Sequence, residues 1–247
     1  MLKTLDLFSG IGGFSLGLER TGGFNTVAFC EIDPFCRKVL AKHWPEVPCY
    51  EDVRSLTADT LARDGIGPVD VICGGFPCQD ISVAGARAGL DGERSGLWRE
   101  YARLIRELRP KFAIVENTSA LLIGGLGGVL ADLAAIGFAA EWHAVSAAHV
   151  GAPHERDRVW LVAYPDEVDG EARLGVLANH QATLRAEKNR NGASLWLAPP
   201  SVPVGVGDGS AHWVHRRERT EAIGNAVVPQ IPEIIGRAIL QAEAPHA

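Results

Sequence analysis

The chain has 247 residues, 47% of them hydrophobic and 22% charged, with 30 acids against 24 Lys and Arg and a net charge of -6. That length and apolar content suit one ordinary domain, or one domain with a small appendage, and exclude disorder over most of the chain. The acidic balance excludes a strongly basic coat for nucleic acid.

The segment Met1 to Thr4 runs directly into a strand, which leaves no room for a signal peptide. Leu5 to Phe8 is predicted to be that strand, ended by Ser9-Gly10-Ile11-Gly12-Gly13. A helix starts at Phe14 and is closed by Gly22-Gly23. Thr26 to Cys30 is the second strand, and Pro34 opens a helix over Phe35 to Lys42. Val69 to Cys73 is a third, buried strand, followed by Gly74-Gly75. Leu97 to Leu108 has helical period, Phe112 to Val115 is a fourth strand, Val129 to Ile136 a helix and Val159 to Ala163 a later strand. From Pro165 to about His212 the rhythm fails, and order returns over Ala222 to Gln241, ending in a helix from Pro232 to Gln241. Strands alternating with helices predict an open, mostly parallel α/β sheet covered on both faces, with ligands bound beyond the carboxyl ends of its strands.

The longest apolar stretch, Ala120 to Ala131, contains four glycines and is too short to cross a bilayer. The five cysteines, Cys30, Cys36, Cys49, Cys73 and Cys78, are odd in number and include no C-x-x-C pair. They predict reduced thiols, no metal knuckle, and a soluble cytoplasmic protein.

The strand ends carry the candidate chemistry. The glycine turn after the first strand permits close approach of a ligand to the backbone, although Ser15 stands where a dinucleotide fingerprint has its third glycine. Glu31, ending the second strand, suits a pair of ribose hydroxyls, or else caps the helix start at Asp33-Pro34. Cys30 and Cys73 lie inside strand runs and read as buried filler. Cys78 instead sits at the mouth of the sheet, fixed by Pro77 and followed by a polar, glycine-punctuated stretch to Gly96 that suits a loop over a site. Glu116 follows the fourth strand directly; desolvation there favours its protonated form, and pairing with an arginine is the alternative. Arg156 and Arg158 share one face of the next strand, facing an anionic ligand or making cross-strand ion pairs.

Taken in order, Asp6-Leu7-Phe8-Ser9-Gly10-Ile11-Gly12-Gly13, Gly75-Phe76-Pro77-Cys78-Gln79, Glu116-Asn117, Arg156-Asp157-Arg158 and Gly224-Asn225-Ala226-Val227-Val228 resemble the motifs of the AdoMet-dependent DNA (cytosine-5)-methyltransferases. The likeness covers residue 4 to about 164 and again 221 to 240. It implies a Rossmann-like class I methyltransferase fold with a catalytic, AdoMet-binding domain over 1–164. A small irregular target-recognition region would occupy 165–220, and a C-terminal segment over 221–247 would return to the catalytic domain.

By the same resemblance, Phe8, Gly10, Ile11, Gly12 and Gly13 form the AdoMet loop, and Glu31 holds the ribose. Ile32 covers the adenine, Asp52 and Val53 meet its polar edge, and Pro77, Asn225 and Val227 complete the pocket. Cys78 is the expected nucleophile, Glu116 the partner of cytosine N3, and Arg158, with Arg156, the support for the activated ring. Gln79, Ser82, Arg87 and Arg94 on the loop, together with Arg185, Lys188, Arg190, Arg216 and Arg217, are the expected DNA contacts.

The implied partners are double-stranded DNA and AdoMet, with no metal and no membrane, and the protein is expected to be a monomer. The chain departs from the family in carrying His154 where Gln is usual, and in the shortness of its target-recognition region. The rival readings are a DNA-binding relative without turnover and, less well matched, an RNA cytosine-5 methyltransferase. Between Asn179 and Arg219 the chain carries net charge +3, against -9 elsewhere, so a local basic patch exists within an acidic protein.

Overall fold

The computed structural model describes residues 1–77, 96–166 and 210–243, with the side chains of 210–217 left aside. The elements run β1 (Leu2–Leu7), α1 (Gly13–Glu19), β2 (Phe24–Cys30), α2 (Pro34–His43), β3 (Cys49–Tyr50) and α3 (Ala58–Arg63). They continue with β4 (Val71–Gly75), α4 (Gly96–Leu108), β5 (Phe112–Thr118), α5 (Leu121–Gly124), α6 (Leu126–Ala135) and β6 (Phe138–Ser146). After a short 3-10 turn at Ala147–Val150 come β7 (Asp157–Pro165), α7 (Ser210–Asn225) and α8 (Gln230–Glu243).

Seven strands form one sheet in the order β3-β2-β1-β4-β5-β7-β6. β1 to β5 are parallel, and β7 is antiparallel to both β5 and β6. The chain winds outward from β1 to β3 and then crosses back to β4, so β1 and β4 flank the topological switch point where open α/β sheets bind ligands. Because β7 runs the other way, its first residues arrive at the same edge as the last residues of β1, β2, β4 and β5.

Side chains alternate across the sheet. On β4 and β5, Ile72, Ala113 and Val115 face the layer formed by α3, α4 and α6, while Val71, Cys73, Phe112 and Ile114 face α1 and α8. This double burial explains why Val69–Cys73 and Phe112–Val115 are continuous apolar runs. The expected covered sheet is therefore present. β3, α3 and β6 are additions that the sequence reading lacked: β3 has two residues, α3 six, and β6 is an edge strand of mixed Ala, Glu, Trp and His. α7 crosses the expected boundary at residue 220, so helical backbone begins at Ser210, within the stretch read as irregular. Among the described residues, no helix is long and apolar enough to cross a membrane.

The chain's last helix closes the α1 face through glycines. A Cβ at Gly17 would stand 2.2 Å from the Pro229 carbonyl oxygen, and one at Gly236 would press on Leu18, Phe24 and Thr21, each at 3.1 Å. Gly17→Ala is expected to cost roughly 1–3 kcal/mol through this overlap. Gly127→Ala, on an exposed helical site with nothing near its Cβ, should instead gain about 0.5–1 kcal/mol. Urea unfolding of the two variants beside the parent checks both signs.

Candidate active site

The turn after β1 is built by unusual backbone and by side-chain lacing. Phe8 takes φ 52°, rare for an aromatic residue, and Gly10 and Gly12 take φ 53° and 85°. This conformation ends the strand one residue before the expected Phe8 and brings its ring to a stacked contact with Tyr101, centroids 6.4 Å apart. Ser9 bridges β1 and β2, its hydroxyl donating to the Asp6 carbonyl at 2.6 Å and lying 3.3 Å from the Cys30 amide nitrogen. No side chain caps α1, whose N-cap is Gly12. Gly13 admits the Val227 carbonyl oxygen, which would lie 2.6 Å from a Cβ there. The return of the C-terminal segment to the glycine turn is thus a steric fit between main chains.

Three carboxyl groups stand at this edge, each in a different state. Asp6 is fully buried; its Oδ2 accepts from the Ser15 hydroxyl at 2.7 Å and the Ser15 N–H at 3.3 Å, and the Cys73 thiol also lies against its carboxyl. Burial pushes its carboxyl up to about 8, outweighing the Ser15 bonds, with the Glu31 charge adding to the rise. Glu31 is 9% exposed and accepts from Gly10 N–H at 2.7 Å and Asp33 N–H at 2.8 Å. It therefore does brace the entry to α2, while Asp33 itself caps the helix by accepting from Cys36 N–H at 2.9 Å. Each carboxylate oxygen of Glu31 retains a second lone pair for a ligand hydroxyl.

Glu116, 9% exposed, is the third. Its Oε1 lies 2.9 Å from Arg158 Nε, a cross-strand ion pair between β5 and β7, so the arginine pairing foreseen as the alternative is present. Burial nonetheless holds its carboxyl above the usual range, with Arg158 and then Arg156 pulling it back down. Its Oε2 occupies the space over Gly75, 2.6 Å from where a Cβ would be, so a side chain at position 75 would displace this carboxylate. Of the two cations expected on one face, Arg158 makes the cross-strand ion pair with Glu116, while the Arg156 guanidinium bonds the Gly224 carbonyl at the end of α7. Burial and the Arg158 charge both weaken the Arg156 guanidinium's hold on its proton.

Several contributors had been given no role from the sequence, although Asn117 and Phe76 stand within its motifs. Asn117, 2% exposed, donates to the Phe76 carbonyl at 3.0 Å and accepts from Thr118 N–H at 2.8 Å, fixing the chain one residue before Pro77-Cys78. Phe76 packs on Trp98 at 5.4 Å, and Trp98 on Tyr101 at 5.7 Å, so an aromatic row joins the ends of β4 and β1 through α4. The buried Asp6 did leave a signal, a lone acid between Leu5 and Leu7 in a strand covered on both faces.

Other expected residues are placed as follows. Ile32 is 61% exposed beside Glu31, an apolar side chain left open to a ligand. Asp52 is engaged by Arg54 through Nε and Nη2 at 2.9 and 2.7 Å, which holds its carboxyl below the usual range, and Val53 is buried beneath it. Pro77 and Asn225 are exposed. Cys78, Gln79, Ser82, Arg87, Arg94, Arg185, Lys188 and Arg190 lie outside the described residues, and Arg216 and Arg217 are placed only as α7 backbone. Among the described residues, no group of His, Cys, Asp and Glu could hold a metal ion.

A sequence model of the family described as C-5 cytosine-specific DNA methylase matches residues 2–196. The type II methyltransferase M2.BsuMI of Bacillus subtilis is 35% identical over 170 residues, covering 66% of this chain and 42% of that protein. M.AquIA of Picosynechococcus is 32% identical over 176 residues, covering 65% of this chain and 71% of that protein. Among solved structures, a prophage-encoded E. coli protein described as a DNA modification methyltransferase superposes with TM-score 0.57 at 28% identity, covering 67% of this chain and 47% of that one. The chain thus spans less than half of M2.BsuMI and of the prophage protein.

The buried Asp6 sets a pH dependence. An acid whose folded value is raised to about 8 from 3.8 binds more protons folded than unfolded between those limits, so stability falls as pH rises through that window, by up to about 1.4 kcal/mol per pH unit. Asp6→Asn keeps an acceptor for Ser15 and should flatten the fall, as urea midpoints at pH 5 and pH 8 would register.

Proposed function

The chain belongs to the C-5 cytosine-specific DNA methylase family, and from that premise we propose that it transfers a methyl group from AdoMet to C5 of a flipped-out cytosine in double-stranded DNA, through a covalent bond between Cys78 and C6. The observation that supports this reading best is the seat of Glu116. Its carboxyl is nearly dry, held by Arg158, and lies over Gly75, three residues before Cys78.

A carboxyl raised by burial is suited to sharing a proton with N3 of cytosine. That proton makes C6 electrophilic, so the Cys78 thiolate can add there and C5 becomes nucleophilic. Arg158 stabilises charge developing at the base carbonyl while keeping Glu116 in place. C5 then takes the methyl group from the donor's sulfur. Loss of the C5 proton to water breaks the Cys78–C6 bond, releases the thiolate and restores the ring, with the N3 proton returning to Glu116. Since C6 is unreachable within stacked DNA, the base must leave the helix.

AdoMet, when bound, supplies the electrophilic methyl group. The residues present fit it: a turn whose left-handed backbone at residues 10 and 12 favours glycine, the paired oxygens of Glu31 and the exposed Ile32. Phe8, Ile11, Gly13, Asp52, Val53, Pro77, Asn225 and Val227 are the other residues we assign to this pocket. We assign residues 1–164 and 221–247 to the catalytic unit and 165–220 to target recognition.

Purified protein should move a tritiated methyl group from AdoMet to mixed-sequence duplex DNA. Cys78→Ala should reduce this to background, and Glu116→Gln should reduce it by about 10²–10⁴-fold. DNA containing 5-fluorocytosine should trap a covalent complex with the parent and none with Cys78→Ala. Parent protein that shifts DNA in a gel yet transfers no label would overturn the reading in favour of a binding protein without turnover.

A further inference from the structure

α4 grips the segment that follows Asp52, and one arginine makes most of that grip. Arg103 donates through Nη2 to the carbonyls of Val53 at 3.0 Å and Leu56 at 2.8 Å. Its Nε and Nη1 are held by Glu100 at 2.7 Å and Glu107 at 2.8 Å, one turn away on either side. The second oxygen of Glu107 accepts from the Ala58 N–H at 3.1 Å, at the first residue of α3. Residues 53–58 are therefore clamped at two carbonyls and one amide by a single helix.

That helix is itself fixed to the sheet. The Tyr101 hydroxyl lies 3.1 Å from the Ile114 carbonyl and 3.3 Å from that of Ile72, while its ring stacks on Phe8. A solvent-exposed helical ion pair would contribute only a few tenths of a kcal/mol and would hold nothing else. Here the carboxylates orient a planar fork whose remaining donors reach backbone 47 and 50 residues away. A lysine, with three donors on one point charge, has no such fork to span both carbonyls and both carboxylates.

We propose that Arg103 is a positioning residue of the methyl-donor pocket: it holds the main chain of residues 53–56 so that Asp52 and Val53 stand at the adenine edge. This rests on the proposed function, in which that edge belongs to AdoMet. The test is calorimetric titration of the full chain with S-adenosylhomocysteine, using the parent, R103A, R103K and R237A. Arg237 makes a surface pair with Glu233 at 2.7 Å, away from the pocket, and serves as the control.

Both Arg103 variants are expected to bind about tenfold more weakly or worse, with R237A unchanged. In turnover, KM for AdoMet should rise while kcat at saturating AdoMet stays near the parent value, a split that general loss of folded protein would not give. If R103A does not fold, R103K retains the charge and the aliphatic stem and gives the same comparison. Arg103 variants that bind within a factor of about two of a binding-competent parent overturn the inference alone. A parent that does not bind S-adenosylhomocysteine overturns it together with the functional reading.

Discussion

Close approach of main chain to main chain between α1 and the region leading into α8 is the constraint on which the rest of the molecule depends. Gly13 and Gly17 leave room for the carbonyls of Val227 and Pro229, and Gly236 returns the accommodation from the other helix. Without that contact, one face of the sheet, including Phe112, Ile114, Trp160 and Val162, would lose the cover of Ile231, Ile235 and Ile239. The back wall of the glycine turn would be lost as well. The site edge is thus completed by residues more than 200 positions from its first strand, so it exists only once the chain has closed.

Placing charge at such an edge is a problem of dielectric, and the protein treats its three carboxyls differently. Asp6, bonded to Ser15 and lying against Cys73, is driven toward its neutral form by burial. Glu31 receives two backbone N–H groups, one on each oxygen. Glu116 has a guanidinium on one oxygen and lies so deep that burial still prevails. These differences come from partners delivered by neighbouring strands, which is why similar residues at similar strand ends do not share one chemistry.

Much of this was legible in the sequence, for reasons that can be named. Strands buried on both faces must be apolar throughout, so Val69–Cys73 and Phe112–Val115 announced themselves, and glycines after a strand announced the turn. The family motifs pointed to Phe8, Glu116, Arg158 and Val227, which the fold brings to one edge of the sheet. β6 escaped notice because an edge strand has no such requirement, and β3 and α3 because two and six residues are too few to repeat a period. The reach of Arg103 was invisible for another reason: beyond Glu100 and Glu107 its partners are backbone carbonyls, which every residue possesses. The same holds for Asn117 and the Phe76 carbonyl. The constraint on Gly75 came from a carboxylate 41 residues later, a neighbour that only the parallel pairing of β4 with β5 provides.

The reversed direction of β7 has a consequence for protein engineering. Pro165 pairs with Phe138, and Asp166 N–H bonds the Gly137 carbonyl at 3.0 Å, at the edge of the sheet opposite the glycine turn. Gly224, where the described chain next meets β7's beginning, is tied to Arg156 at the near edge. The nine residues of β7 span about 30 Å at the usual rise, so Asp166 and Gly224 stand at opposite ends of the sheet. Foreign sequence spliced in just after Asp166 would therefore begin its path far from Glu116, whereas the same insertion just before Asn225 would fall beside Arg156, at the edge that carries Glu116. Module swapping in this protein has a preferred junction, and it is the upstream one.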